Sequence, residues 1–306
     1  MNRIIVLAIT AIAAGGSLPA AAFTVDGRLN DWIANPNTWA ALPGKDIHAS
    51  IEDQVGRDGR VYPGWGGQAY DAEALYAAVS DGNLYIALAT GHNPRTLNQG
   101  NSYGAGDFAI DFGKDGSYEF GINILHAESV KNGVYTFEKF GVEGGVYKNP
   151  TWAYGLWNAA GNLAPGDPDL THPTHLIAGQ RVGMADLRYT TSPAKGYGDH
   201  PEDDHYFYEM SLPLSLLLDS GWDGKAFDIH WTENCANDSI LVDPGHAVPE
   251  PGSLALLAGA LCAGCARRGV PVGRAADHRE GRHHQQRPGR PLAHLRDLDP
   301  RPARAR

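Results

Sequence analysis

Three tight-turn signatures fall within fewer than seventy residues, between Leu75 and Phe140, and they restrict the architectures open to this chain. Leu75 to Ser80 and Leu84 to Thr90 are strand-like runs joined at Asp81-Gly82-Asn83. Asp-Gly favours a hairpin because both residues accept positive φ. Phe108 to Phe112 turns through Gly113-Lys114-Asp115-Gly116 into Tyr118 to Ile124, where Tyr118, Phe120, Ile122 and Ile124 alternate with smaller or polar residues. Val130 turns through Asn132-Gly133 into Val134 to Phe140. Short turns join antiparallel neighbours, whereas parallel strands need long crossovers, so a parallel α/β sheet is excluded. Tyr206 to Leu212, Phe227 to Trp231 and Ser239 to Asp243 supply further strands, with one helical turn predicted at Pro213 to Leu218. Gly141 to Thr191, with many Gly, Pro and Trp and weak periodicity, reads as a long irregular segment. Such segments on β scaffolds often carry ligand sites. The expected fold class is all-β, a two-sheet antiparallel β-sandwich over residues 23–246, jelly-roll or immunoglobulin-like.

The two ends read as delivery tags. Met1-Asn2-Arg3, the apolar run Ile4 to Ala14 and the small residues Ala20-Ala21-Ala22 form an expected signal peptide over residues 1–22, with signal peptidase leaving Phe23 first. Further on, Val248-Pro249-Glu250-Pro251 precedes an uncharged apolar run, Gly252 to Ala266, that ends in Arg267-Arg268. At roughly 1.5 Å per residue this run falls short of the ~30 Å hydrocarbon core, so it predicts a short hydrophobic helix held only transiently in a membrane. Pro249-Glu250-Pro251, the short helix and Arg267-Arg268, in that order, resemble the PEP-CTERM sorting signal of Gram-negative bacteria, which an exosortase reads. The resemblance assigns residues 247–268 to the signal. It implies an exported, exosortase-processed chain at the cell surface or in the extracellular matrix of such a bacterium. Gly269 to Arg306 has no Lys, Tyr, Phe or Trp and is rich in Arg, Pro and His, so disorder is expected. A frameshift or read-through in the gene would explain this foreign composition; a basic tail for nucleic acid or anionic lipid is the alternative.

Setting the ends aside changes the charge. Phe23 to Val248 holds 30 Asp and Glu against 13 Lys and Arg, hence −17, whereas the whole chain carries −10. Such acidity argues against nucleic-acid or anionic-membrane partners and for solubility, cation binding or both. Cys235 is the one thiol outside the hydrophobic run, which rules out an intramolecular disulfide framework. A buried structural thiol is expected there, with an intermolecular disulfide or a reactive thiol as alternatives.

Val25-Asp26-Gly27-Arg28-Leu29-Asn30-Asp31-Trp32, Asn83-Leu84-Tyr85-Ile86-Ala87 and Gly106-Asp107-Phe108-Ala109-Ile110-Asp111 are similar to family 9 carbohydrate-binding modules and DOMON-like sandwiches, across most of Phe23 to Asp243. His230-Trp231-Thr232-Glu233-Asn234-Cys235-Ala236-Asn237-Asp238 resembles the HWT-x-x-C-x-N-D ending of PEP-CTERM surface proteins. The first resemblance implies sugar binding by tryptophans and structural calcium. An aromatic face covers the C–H face of a pyranose while neighbouring polar groups bond its hydroxyls. The candidate carbohydrate-binding residues are Trp65, in the turn Pro63 to Gly67, and Trp152, Tyr154 and Trp157 in the irregular segment; each reads alternatively as a core or loop plug.

Ca2+ takes six to eight oxygens, and two seats stand out. Asp111, Asp115 and Glu119 share a turn with Gly113 and Gly116, and Glu202, Asp203 and Asp204 cluster between His200 and His205. Their alternatives are a polar hairpin tip and a solvated loop. The family resemblance allows a third seat, Asp26 and Asp31 with Asp228 or Asp238. His200, His205, His230 and Cys235 raise zinc, but no Cys-x-x-Cys or His-Glu-x-x-His spacing occurs between Phe23 and Val248.

No phosphate-loop signature occurs, and the chain reads as non-catalytic. The leading expectation is a surface or matrix protein binding exopolysaccharide with structural calcium. The alternatives are a self-assembling structural protein using residues 141–191 or an open strand edge, and a matrix glycoside hydrolase with two carboxylates about 5–10 Å apart.

Overall fold

Leu84, Ile86 and Leu88 face one way and Tyr85, Ala87 and Ala89 the other, and each set meets a different apolar layer. The structure, a computed structural model, describes residues 23–54, 59–96, 103–132 and 134–245. The expected signal peptide, Pro249-Glu250-Pro251, the apolar run, Arg267-Arg268 and the 269–306 tail lie outside the described residues. Among the described residues, no helix is long and apolar enough to cross a membrane.

In chain order the elements are β1 (Ile33–Asn35), β2 (Ala40–Ala41), β3 (His48–Ile51), β4 (Ala72–Ser80), β5 (Asn83–Thr90), β6 (Phe108–Phe112), β7 (Tyr118–Ile122) and β8 (Ala127–Lys131). Then follow β9 (Val134–Phe137), β10 (Gly145–Tyr154), β11 (Pro173–Met184), β12 (Asp186–Tyr189), β13 (Tyr206–Pro213), α1 (Leu214–Leu218), β14 (Phe227–Thr232) and β15 (Ser239–Val242). One sheet has six strands in the order β11-β10-β7-β6-β14-β15, and the other has five in the order β12-β13-β5-β4-β3. β1–β2 and β8–β9 form separate two-stranded ribbons. All pairings are antiparallel, as the turn signatures require.

The inner faces meet in one core. Leu75 and Ala77 of β4, Leu84, Ile86 and Leu88 of β5, and Tyr208, Met210 and Leu212 of β13 pack with Phe108 and Ile110 of β6, Phe120 and Ile122 of β7, and Ile229 and Trp231 of β14. At about 1.5–3 kcal/mol per large apolar side chain buried, this layer is the main favourable term for the fold. The chain is therefore an antiparallel two-sheet β-sandwich. The Asp81-Gly82 turn has φ of 50° and 76° and pairs Ser80 with Asn83, the two-residue hairpin its residues predict.

The outer face of the five-stranded sheet is covered by the N-terminal strap. Phe23, Leu29, Trp32 and Trp39 lie on Ala74, Tyr76, Ala78, Ala87, Ala89 and Phe207, where the small alanines admit large rings. Trp32 Nε1 donates to Glu209 Oε1 at 2.9 Å, and Glu209 Oε2 accepts from the N–H groups of Asp26 (2.7 Å) and Gly27 (3.0 Å). The Val25 to Trp32 motif is thus a packing device.

The expectation of a long irregular segment from Gly141 to Thr191 is corrected: it contains β10, β11 and β12. The β10–β11 register shifts at four places, including a jump from Lys148↔Gln180 to Thr151↔Ala178 across Asn149, whose φ is 49°. Each shift resets which face a side chain takes, and this erases the alternation that marks a strand in sequence.

Candidate functional site

β14 sends Ile229 and Trp231 into the core and turns His230 outwards, opposite Leu241 of β15. Over these residues lies a cleft of about 410 Å³. Ser50 and Glu52 at the end of β3, Tyr118 of β7 and Thr171-His172 just before β11 all line it. Tyr62 stands at the mouth, 59% exposed. The His172 ring stacks on His230 with centroids 5.4 Å apart, Tyr118 lies 5.7 Å from His230, and the Tyr118 hydroxyl donates to the Thr171 carbonyl at 2.7 Å.

The groups that line this cleft are neutral, while the Asp169 carboxylate lies behind His172, 3.5 Å from its Nε2. Burial lowers His230 to about 3 and also lowers His172, so both imidazoles are uncharged at neutral pH. Burial, reinforced by Asp238, raises Glu52 to about 8, so its carboxyl keeps a proton there. None of the described lining residues is Lys or Arg. Hydroxyls, neutral imidazoles and a protonated acid beside tyrosine rings suit an uncharged polyhydroxyl ligand and offer nothing to neutralise an anion.

Of the four aromatic residues singled out in the sequence, Trp65 presents an open ring, 44% exposed, with the Arg60 guanidinium 5.4 Å from its centroid. Trp152 is buried with Tyr147 and Leu176, and its Nε1 donates to the Tyr118 carbonyl at 3.3 Å, so it plugs the outer face of the six-stranded sheet. Tyr154 packs half-buried on the same cluster. Trp157 is half-buried and donates to Asn237 Oδ1 at 2.8 Å. Sequence reasoning missed Tyr62, although it shares a short Gly-rich loop with Trp65.

Asp111, Asp115 and Glu119 do converge, with one oxygen of each within 4.8 Å of the others. Their oxygens are engaged by the turn itself: Asp111 accepts the N–H groups of Asp115 (3.1 Å) and Gly116 (2.8 Å), Asp115 that of Ser117 (2.9 Å), and Glu119 that of Phe112 (2.8 Å). Glu202 and Asp204 are exposed and Asp203 partly so, with Lys195 3.1 Å from Asp204, the pattern of a solvated loop. Asp31 accepts the Thr24 N–H at 2.8 Å, and Asp228 pairs with Lys114 at 3.1 Å, so the structure gives Asp26 and Asp31 no common centre with Asp228. The four residues that raise zinc are also dispersed. His200 is exposed, His205 faces Glu73 at 3.1 Å, His230 stacks on His172, and Cys235 is buried beside Glu233.

Asp238 instead joins a group that sequence reasoning did not assemble. Asp71 and Glu73 flank the start of β4, Asp53 follows β3, and Asp238 precedes β15; Asp71, Glu73 and Asp238 are 0%, 0% and 1% exposed. The N–H groups of Glu52 (2.8 Å) and Asp53 (3.2 Å) both donate to the Glu73 carbonyl, which brings the two segments together. Asp238 accepts from the N–H groups of Ala72 (2.7 Å) and Ser239 (2.9 Å), and Glu73 Oε1 accepts from Gln68 Nε2. Asp71 hydrogen-bonds Asp238 and Glu73 hydrogen-bonds Asp53, carboxyl to carboxylate, so protons are shared within the group, and Oε1 of Gln68 is left buried without a partner. Burial, followed by the charges of Glu73 and Asp238, raises Asp71 to about 11. His205 Nδ1 and Gln68 Nε2 both lie against Glu73 Oε1, and no three of these acids bring donor atoms together as Asp111, Asp115 and Glu119 do.

No family model and no curated protein matches the chain. Fold and site define its class as a two-sheet antiparallel sandwich with an aromatic-rimmed, uncharged cleft beside a buried carboxylate group.

Proposed function

We propose that this is an exported, non-catalytic cell-surface or matrix protein that binds a neutral stretch of exopolysaccharide in the Tyr62 cleft. Signal peptidase and exosortase process its ends, and Ca2+ held by Asp71, Glu73, Asp53 and Gln68 stiffens the cleft wall. The observation that carries the reading is the cleft itself: tyrosine surface, hydroxyls, neutral imidazoles and the Glu52 carboxyl, without a basic residue. Calcium belongs beneath it because Ser239 lines the cleft while Asp238, next in the chain, lies in the acidic group. Glu52 is the single carboxyl among the lining residues, which supports a binding role over a hydrolase needing two.

Pull-down on the producer's own matrix polysaccharide, with and without EDTA, tests the reading. Wild type should be retained, and Tyr62→Ala should bind about two- to tenfold more weakly, as loss of an aromatic contact of about 0.5–1.5 kcal/mol dictates. No retention of wild type in either condition refutes glycan binding; full retention of a Tyr62→Ala, Trp65→Ala double variant refutes the site. Mass spectrometry of native protein should find Phe23 first and the apolar run removed, and a cytosolic chain retaining both ends refutes export.

Self-assembly is favoured by one observation. β11 is an edge strand of twelve residues that leaves Ile177 and Met184 half exposed. Concentration-dependent oligomers abolished by Ile177→Lys, without glycan affinity, would establish it.

A further inference from the structure

We infer that Asp107, His126 and Glu138 form an interior binding site for a divalent d-block ion, best matched by Zn2+, which clasps the β8–β9 ribbon to the six-stranded sheet. One donor atom from each residue lies within 4.8 Å of the other two. The three residues are 0%, 1% and 7% exposed. His126 immediately precedes β8 and Glu138 immediately follows β9, so the ribbon brings its two ends together, and the Glu138 N–H donates to the His126 carbonyl at 3.1 Å. Asp107 immediately precedes β6 and is fixed by the N–H groups of Ile124 (2.7 Å) and Leu176 (2.9 Å).

What points to a ligand is the state of the atoms facing inward. His126 Nδ1 and Glu138 Oε2 face each other at 3.4 Å as a loose pair, and neither makes a well-aligned hydrogen bond to any other group. Asn123 Nδ2 bridges the carboxylates, at 2.6 Å from Glu138 Oε1 and 3.3 Å from Asp107 Oδ2, while its own Oδ1 is unpartnered. Among the described residues, no Lys or Arg pairs with either acid. One imidazole and two carboxylates, oriented by backbone and amide donors behind them, are the mixed nitrogen–oxygen set of zinc-type ions; calcium prefers oxygen alone. The site is independent of the cleft and of the Asp71 group, and its test does not rest on glycan binding.

The full chain, stripped with a chelator, should take up Zn2+ stoichiometrically here. Co2+ should give the visible d–d absorption of a low-coordinate site, and Zn2+ should slow amide exchange across residues 127–137. His126→Gln and Glu138→Gln should each weaken uptake at this site at least about tenfold, leaving any calcium-dependent melting shift in place. Either substitution could unfold the chain, so exchange of the wild-type ribbon with and without Zn2+ is the second measurement. Folded wild type whose ribbon is unprotected by Zn2+ overturns the inference, as does uptake unchanged in both variants, since zinc held elsewhere would give both results.

Discussion

Asp71→Asn tests whether a proton or the proposed Ca2+ neutralises the buried carboxylate group. Burial and its acidic neighbours raise Asp71 from 3.8 to about 11, so without metal the folded chain keeps a proton there that the unfolded chain releases above about pH 4. A group held above its unfolded pKa contributes fully below that value, and the contribution is lost as pH rises toward the folded one. One such proton is worth about 1.4 kcal/mol per pH unit. Buried histidines act in the opposite sense: burial lowers His92 and His230 to about 3, so they add stability as pH rises to their ordinary 6.5 and are silent above it. Between about pH 7 and 9 the acid slope stands exposed, and Asp71 alone should cost the metal-free protein about 3 kcal/mol, a large share of a typical 5–15 kcal/mol. At about 2–4 °C per kcal/mol, that is a fall in Tm of roughly 6–12 °C. Asparagine needs no proton, so Asp71→Asn in EDTA should flatten the curve by one proton and exceed wild type in Tm at pH 9. Ca2+ should do for wild type what the proton does, raising Tm more at pH 9 than at pH 7, and should do nothing for the variant. Circular dichroism melts at fixed ionic strength, with Mg2+ as control, read all four conditions. The reasoning fails if metal-free wild type gains stability from pH 7 to 9, or if the variant is less stable than wild type at pH 9 and still responds to Ca2+.

Two further outcomes probe the fold. Gly106→Ala would place a Cβ 1.7 Å from the Thr232 carbonyl oxygen and 2.9 Å from that of Thr174, both backbone, so a loss of at least about 3 kcal/mol in urea unfolding is expected, and a wild-type midpoint would contradict it. Glu209→Ala leaves Trp32 Nε1 and the N–H groups of Asp26 and Gly27 without their acceptor, so about 3 kcal/mol should be lost and residues 23–32 should become open to protease; an intact strap at equal protease would count against the clasp.

How far these features were legible in the sequence depends on how local their causes are. The Asp81-Gly82 hairpin is local chemistry and was readable at once, as was the convergence of Asp111, Asp115 and Glu119 around one turn. β10 and β11 escaped because bulges at Asn149-Pro150 and nearby break the alternation that marks a strand. Trp65 and Trp152 look alike as letters; one lies in an open loop and the other under Tyr147 and Leu176, a difference made by sheet neighbours distant in sequence. Asp53, Asp71 and Asp238 are likewise distant along the chain. One signal was nonetheless present: Glu73 sits inside the apolar run Ala72 to Val79, where a solvated acid has no place.

The acidic composition acquires a different meaning once the carboxylates are located. Lysine and arginine pair with acids that keep contact with water: Lys45 with Asp31, Arg95 with Glu143, Lys114 with Asp228 and Asp243, Arg188 with Asp186, Lys195 with Asp204 and Lys225 with Asp223. Asp71, Glu73, Asp107, Glu138, Glu233 and Asp238 are buried, and among the described residues their ion-pair partners are histidines or none. A lone buried carboxylate costs several kcal/mol even after relaxation; histidines offset part of that cost for Glu73, Glu138 and Glu233, and backbone N–H donors do so for Asp107 and Asp238. Burial raises all six above their ordinary values, so protons neutralise them as pH falls. The pH therefore decides how many of these interior acids carry charge, and a surplus of acids that reads in sequence as a charged surface acts in part from inside the fold.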